Sequence, residues 1–473
     1  MSAHRYLAVT SATPPLAVKI RAMRRLLFPL LTLLAACGGG GGGAVERPAA
    51  GPNRSLLLTL PASGLAPADL AVIVAEGDPL SEAVGAAYVA ARGVPAANLI
   101  RVRVDTRLDA LPAADFMLLK NDIDARLPAG IQATLLTWAA PSRVVGACAM
   151  GITSAMAFGF DTRHCNPSPA TALCTDTAAS PLYDSETRRP QAELGLRPSM
   201  LLGATTLGAA QALIARGLVA DASRPAGEGW LVRTSDVDRS VRWNDFAGLP
   251  AAWAGALALN YVDNGAGPAA ANALSGKSGV LFYLTGLASV PQLATLEFSP
   301  GALADTLTST GGLLPTGGGQ MPITAWLDAG ATASYGTVEE PCNLTQKFSR
   351  ASVLIDQYWR GATAIEAYWK AVQRPGQGLF VGEPLAQPFR DAPGFSIVGD
   401  EYRISTRSLR PGGRYSLDYL QGATWTTLAS FTGVLGQPLD ARAPLPPAAA
   451  TRIRWQGPCP EDATRSCTLS QSS

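Results

Sequence analysis

Few side chains in this 473-residue chain can do chemistry, and their scarcity is informative. There are two histidines, His4 and His164, and the first lies in a leader-like segment. Cys–His and Ser–His–Asp mechanisms need an imidazole to move the proton. His164, adjacent to Cys165, is therefore the base on which either would depend. Its loop context favours a solvated histidine beside a disulfide. Zinc sites built on several histidines are excluded.

Of seven cysteines, Cys37 closes the leader, leaving Cys148, Cys165, Cys174, Cys342, Cys459 and Cys467. An even number in an oxidising compartment favours disulfides. Proximity favours Cys165 with Cys174 and Cys459 with Cys467, which leaves Cys148 with Cys342, although six cysteines permit about fifteen pairings. Cys148 and Cys342 each follow a predicted strand, where catalytic groups of α/β folds collect. Either is a candidate nucleophile, but a reactive thiol needs a base or positive charge beside it, and an exported one tends to oxidise.

Carboxylates are the other resource. Asp78, Asp161, Asp236, Asp238, Glu339 and Glu340 fall in loops at apparent strand ends, where they could serve as acid and base or hold a hard cation. Asp236-Val237-Asp238 has alternating ligand spacing without the rest of a calcium loop. Turn and N-cap roles account for such residues more simply. No cofactor motif is present.

The elements that must position these groups alternate. Leu70–Ala75 reads as a buried strand, Leu80–Arg92 as a helix, Asn98–Val104 as a strand, Asp115–Leu127 as a helix and Ala133–Trp138 as a strand. The alternation resumes with strand 200–204, helix 208–218, strand 229–234, helix 250–261 and strand 280–284. This indicates an α/β fold, a layered and mostly parallel sheet with helices on both faces. Residues 145–198 interrupt it and read as a Cys-containing insertion at one sheet edge. Helices are expected over 301–307, 323–329 and 353–372, with a strand over 333–338. The last helix carries Tyr358, Trp359, Tyr368 and Trp369, whose spacing suits a core-facing stripe better than a sugar platform. The α/β domain spans 55–395. Beyond it, short β-like runs at 402–406, 414–419, 424–431 and 451–455 mark residues 396–473 as a small β-sandwich.

At the start, Met23-Arg24-Arg25 precedes the apolar run Leu26–Leu34 and the segment Leu34-Ala35-Ala36-Cys37-Gly38. This is the pattern of a secretory signal over residues 1–36, with translation starting at Met23, whose cysteine is acylated. The apolar run is shorter than the ~20 residues a spanning helix needs. The glycines Gly38–Gly43 and the Pro-containing stretch to Arg54 read as a tether over 37–54 with an end-to-end distance of roughly 20–25 Å. Loss of residues 1–36 leaves 33 basic against 36 acidic groups, a net charge of −3. No basic patch for nucleic acid survives. The expected partner is a membrane, reached through lipid on Cys37.

Several segments also resemble a family. They are Leu135-Leu136-Thr137-Trp138-Ala139-Ala140-Pro141, Gly151-Ile152-Thr153-Ser154-Ala155, Ser299-Pro300-Gly301-Ala302, the run Gly330 to Cys342, and Gly382-Glu383-Pro384-Leu385. Together they resemble an uncharacterised family of exported bacterial proteins found with exosortase, the presumed sorting transpeptidase for PEP-CTERM proteins. The resemblance covers most of residues 65–390 and carries no known activity. More distantly, Asp328-Ala329-Gly330-Ala331 and the segments around Arg360 and Glu383 resemble the caspase and gingipain type of fold. Active members place His-Gly after one core strand and Cys after the next. Here the strand end reads Tyr283-Leu284-Thr285-Gly286, with threonine where histidine is expected, which argues against proteolysis. The resemblance implies a lipid-anchored binding or assembly factor working with an envelope protein or polysaccharide in exosortase-linked export. The competing expectation is an envelope hydrolase using Cys148, Cys342 or a carboxylate pair. By resemblance to enterobacterial sorting, Gly38 after Cys37 implies the outer membrane.

Overall fold

The computed structural model describes residues 51–61, 64–165 and 176–459. The expected signal, tether and Cys37 lie outside the described residues, as do Cys174, Cys467 and the side chain of Cys459.

The first half of the chain forms β1 (Leu70–Ala75), α1 (Pro79–Arg92), β2 (Leu99–Val102), β3 (Ala110–Pro112), α2 (Ala113–Arg126) and β4 (Ala133–Leu136). It continues with β5 (Arg143–Val145), β6 (Ala149–Gly151), α3 (Ile152–Phe158), α4 (Pro190–Leu194), β7 (Ser199–Leu201) and α5 (Leu207–Ala220). The second half forms β8 (Glu228–Arg233), α6 (Trp243–Phe246), α7 (Leu249–Ala252), β9 (Ala258–Asp263), β10 (Val280–Thr285) and β11 (Phe298–Thr306). After these come α8 (Thr324–Asp328), β12 (Ala333–Thr337), α9 (Ala351–Trp359), α10 (Ala364–Ala371) and β13 (Gly378–Gly382).

Ten of these strands make one sheet in the order β2-β1-β4-β7-β13-β12-β11-β10-β8-β9. Within β2-β1-β4-β7 and within β12-β11-β10-β8-β9 neighbours are parallel. β13 runs antiparallel to β12 and meets β7 at one bridge, Val381–Leu201. Every residue of β1, β4, β7, β10, β12 and β13 is buried, as strands are when both sheet faces are covered. The expected α/β architecture is present.

Local chemistry explains the clearest elements. Asp78 caps α1 by accepting from Leu80 N and Ser81 N, Pro79 occupies its first turn, and Gly93 ends it at φ 65°. Three expectations fail. Residues 250–261 hold α7 and then the strand β9, and of residues 301–307 all but Leu307 lie in β11 rather than a helix. Short apolar runs such as Ala302-Leu303-Ala304 do not distinguish a buried strand from a helix by periodicity. The expected helix 353–372 is two, parted at Arg360-Gly361 with Gly361 at φ 94° and restarted by a capping box of Thr363 and Glu366.

The insertion also differs from expectation. It joins β4 to β7, which are neighbours inside the sheet, so it rises from the interior and not from an edge. It contributes β5 and β6 to a small sheet with β3.

The C-terminal module pairs β14 (Gly394–Val398), β15 (Glu401–Thr406) and β18 (Leu439–Pro444) in one antiparallel sheet. β16 (Arg414–Gln421), β17 (Thr424–Thr432) and β19 (Arg452–Cys459) form another. The two sheets share a core of Tyr402, Ile404, Leu417, Ala443 and Trp455, and Leu60 from the far end of the chain joins it. Asn53 N donates to Pro446 O at 2.8 Å, so this segment, placed by the sequence in the α/β domain or its tether, lies along the module. Charges tie module to body: Arg410 bonds Asp184 at 2.6 Å and Glu186 at 3.2 Å, and Arg360 of the body, itself paired with Glu186 at 2.8 Å, donates to Ser408 O at 3.3 Å. No helix among the described residues is long and apolar enough to cross a membrane.

Candidate functional site

In open α/β sheets, ligands collect beyond the carboxyl ends of the strands. Here the loops following β4, β11 and β12 meet. Leu314 N donates to Ser142 Oγ at 3.2 Å, Ala149 N to Glu339 Oε1 at 3.1 Å, and Gly312 N to Thr337 O at 2.9 Å.

The ends of β10 and β11 carry neither a His-Gly pair nor a cysteine. β10 ends at Thr285-Gly286, where a Cβ on Gly286 would stand 1.9 Å from Arg239 O. β11 ends Asp305-Thr306 and continues Leu307-Thr308-Ser309. Between them lies Arg242. Its Nη1 pairs with Asp305 Oδ1 at 2.7 Å and donates to Ser349 Oγ at 2.9 Å, and its Nη2 donates to Thr285 O at 2.5 Å. Ser349 Oγ donates to Asp305 Oδ2 at 2.5 Å. Arg242 and Asp305 are 4% and 1% exposed, so this is a closed ion pair from which substrate is excluded. The sequence reading overlooked Arg242, Asp305 and Ser349. The available signal was an aspartate inside an apolar strand, which is rarely buried unless paired.

Cys148 is bonded to Cys165, with Cα atoms 5.8 Å apart. This overturns both the Cys148–Cys342 and the Cys165–Cys174 expectations. Sequence proximity misled because α3 and the turn at Gly159 fold the chain back, bringing Phe160 against Gly146 and Cys165 to the β5–β6 turn. Cys342 is disulfide-bonded as well. Oxidation removes the thiolate that a nucleophilic role would require of any of the three.

His164 is buried and stacks on Phe158, ring centroids 4.2 Å apart. Its Nδ1 has no hydrogen-bond partner among the described residues. Burial lowers its pKa, against a smaller opposing pull from Asp161. It is a packed ring rather than the solvated loop residue expected.

The carboxylates do not converge. Asp78 is a helix cap, Asp161 pairs with Arg163 at 2.6 Å, Asp236 pairs with Arg239 at 3.0 Å, and Asp238 is exposed. Glu339 accepts from Ala149 N and from Gln377 Nε2 at 3.1 Å, and Glu340 accepts from Cys342 N at 2.7 Å. No cluster of three potential metal ligands occurs among the described residues. Glu383, in the closing Gly-Glu-Pro-Leu segment, is buried and bonded by Tyr88 Oη at 2.5 Å and Arg92 Nε at 3.0 Å. Lys347 is fully buried, its Nζ has no hydrogen-bond partner among the described residues, and burial pushes its amine down to about 8 despite Asp176, Glu339 and Glu340 nearby.

Tyr358, Trp359, Tyr368 and Trp369 are all buried. Tyr358 Oη donates to Gly301 O at 2.8 Å, Trp369 Nε1 donates to Ser199 O at 2.9 Å, and Trp369 stacks on Phe380 at 4.4 Å. They pack helices on the sheet and offer no aromatic platform.

No protein-family model matches the chain, and no curated protein matches it in sequence. Among solved structures, one described as a protease is 10% identical, with a TM-score of 0.38 over 82% of this chain and 94% of that one. The complex of Porphyromonas gingivalis RgpB pro- and mature domains is 9% identical, with a TM-score of 0.37 over 80% of this chain and 93% of that one. At these scores the likeness carries no conclusion about activity.

Proposed function

We propose that this chain is a lipid-anchored envelope protein that binds a ligand or partner rather than hydrolysing one, working in exosortase-linked export. The observation that carries the reading is the buried Arg242–Asp305–Ser349 network at the strand ends where a base and nucleophile would stand. The disulfides at Cys148, Cys165 and Cys342 support it, since they leave those sulfurs without nucleophilic character. Anchoring through Cys37 rests on the leader pattern, placement in the outer membrane on Gly38, and the exosortase link on the family resemblance alone.

Two measurements test it. Iodoacetamide applied to native, unreduced protein should leave Cys148, Cys165 and Cys342 unlabelled, and the protein should not cleave peptide or ester substrates. Stoichiometric labelling with loss of a hydrolytic activity would establish an enzyme instead. Cys37→Ser should move the protein from the membrane to the soluble fraction. Membrane retention of that variant, with no lipid on the unaltered protein, would remove the anchor.

A further inference from the structure

A cavity of about 110 Å³ opens beyond the carboxyl ends of the strands, lined by Asp109, Ser142 and Arg143 from the first half and Leu313, Leu314 and Thr316 from the second. The volume corresponds to roughly three or four waters, enough for a very small organic ligand. Its position between loops of both halves agrees with where α/β sheets take ligands.

The charges are unusual. Ala110 and Arg143 stand opposite each other in the β3–β5 pairing, and Ser142 N donates to Asp109 O at 3.2 Å. Asp109 and Arg143 are thus on adjoining backbones, yet no ion pair joins them. Arg143 Nε is buried and unpartnered. Buried Nε atoms of Arg216, Arg239 and Arg242 also lack partners, but each of those guanidinium groups bonds elsewhere, to Leu327 O, Asp236 and Asp305 respectively. For the Arg143 guanidinium there is no hydrogen-bond or ion-pair partner among the described residues. Ser142 is buried, and its Oγ accepts from Leu314 N, leaving its proton without an acceptor among the described residues. An unsatisfied donor in such a place costs stability, and a ligand that answers it recovers the loss.

We propose that this cavity binds a zwitterionic α-amino acid with a small apolar side chain, such as alanine. The guanidinium fork of Arg143 and the Ser142 hydroxyl receive the carboxylate, Asp109 receives the ammonium, and Leu313 and Leu314 receive the side chain. A simple anion would meet Asp109 and a simple cation would meet Arg143, so one charge alone is disfavoured. The assignment rests on the binding reading above and names the ligand class for it.

Calorimetric titration of the full chain decides it, with L-alanine, D-alanine, acetate and methylammonium as probes. One alanine enantiomer or both should bind saturably at millimolar concentration or below, and acetate and methylammonium at least about tenfold more weakly. Arg143→Gln should weaken alanine at least about tenfold, Asp109→Asn less, and Arg143→Lys should fall between Arg143→Gln and the unaltered protein. Arg143 makes no side-chain bond among the described residues and Asp109 is exposed, so these variants should melt at or above the temperature of the unaltered protein, which verifies that they are folded. Absence of saturable alanine binding overturns the assignment, and so does acetate binding as tightly as alanine or an unchanged affinity in Arg143→Gln. Those results would leave the binding reading standing. Hydrolysis in the thiol-labelling experiment would remove that reading whatever the titration shows.

Discussion

The two halves of the central sheet share a strand order and differ in how they close the same end. In each, the first strand lies between the second and third, and the fourth lies beyond the third: β2-β1-β4-β7 in one half and β9-β8-β10-β11 in the other. The first half sends a long excursion from β4 to β7, which folds into the β3-β5-β6 sheet and is stapled by Cys148–Cys165. The second passes from β10 to β11 through a short loop and seals its strand ends with Arg242, Asp305 and Ser349. A covalent link holds a loop that lacks a large core of its own, whereas a buried ion pair holds strands already packed on both faces. Similar strand order therefore does not imply similar chemistry at the strand ends.

The largest expected effect comes from breaking the ion pair. Asp305→Ala leaves Arg242 buried without its counter-ion and should cost about 3–5 kcal/mol in urea denaturation, with Asp305→Asn costing less. A loss below about 1 kcal/mol would show that the second half does not depend on this pair.

Next is the staple. Replacing Cys148 and Cys165 together by serine opens a link spanning 17 residues, which the chain-entropy relation values at about 3 kcal/mol. Peptide mapping without reductant should recover the two joined. A Cys148 peptide linked to Cys342 would restore the earlier pairing and undo the contrast between the halves.

Lys347, between β12 and α9, has a smaller effect of opposite sign. Its amine is held down to about 8 from 10.5, so the unfolded chain binds the proton more tightly. The native state therefore gains stability as pH rises from about 8 to 10.5 and has lost that contribution below 8. Lys347→Met should stabilise the protein at pH 7 by about 1–2 kcal/mol, a figure reduced for screening by nearby water, and should flatten the alkaline limb of the stability profile.

The smallest concerns His164. Burial depresses its pKa below 6.5, so the unfolded state takes up a proton first on acidification and stability falls as pH drops through and below 6.5. His164→Phe keeps the stack on Phe158 and should remove that part of the acid sensitivity. An unchanged melting-temperature profile between pH 7 and about 5 would mean that the imidazole is not buried from solvent.

Part of this architecture was legible in the residues. In the first half, period and punctuation agree: Asp78-Pro79 opens α1, Gly93 closes it, and the six apolar residues of β1 mark a doubly covered strand. The same signals placed β10, β12 and four of the C-terminal strands close to where they lie. β9 and β11 were misread because short apolar runs satisfy helix and strand alike, and partners distant in sequence decide between them. β13 escaped notice because Gly378-Leu379-Phe380-Val381-Gly382 is too short to show a period, although β12 and β7 flank it in the folded sheet.

By itself the sequence determined the alternation of elements, the lack of an imidazole outside the leader other than His164, and the threonine at the end of β10. These follow from residue type and local spacing. Only the tertiary structure decided which cysteines meet, that Arg242 reaches Asp305 across 63 positions, and that Asp109 and Arg143 share a cavity without pairing. Such choices depend on how distant segments cross in space, and residues near one another along a chain hold no record of those crossings.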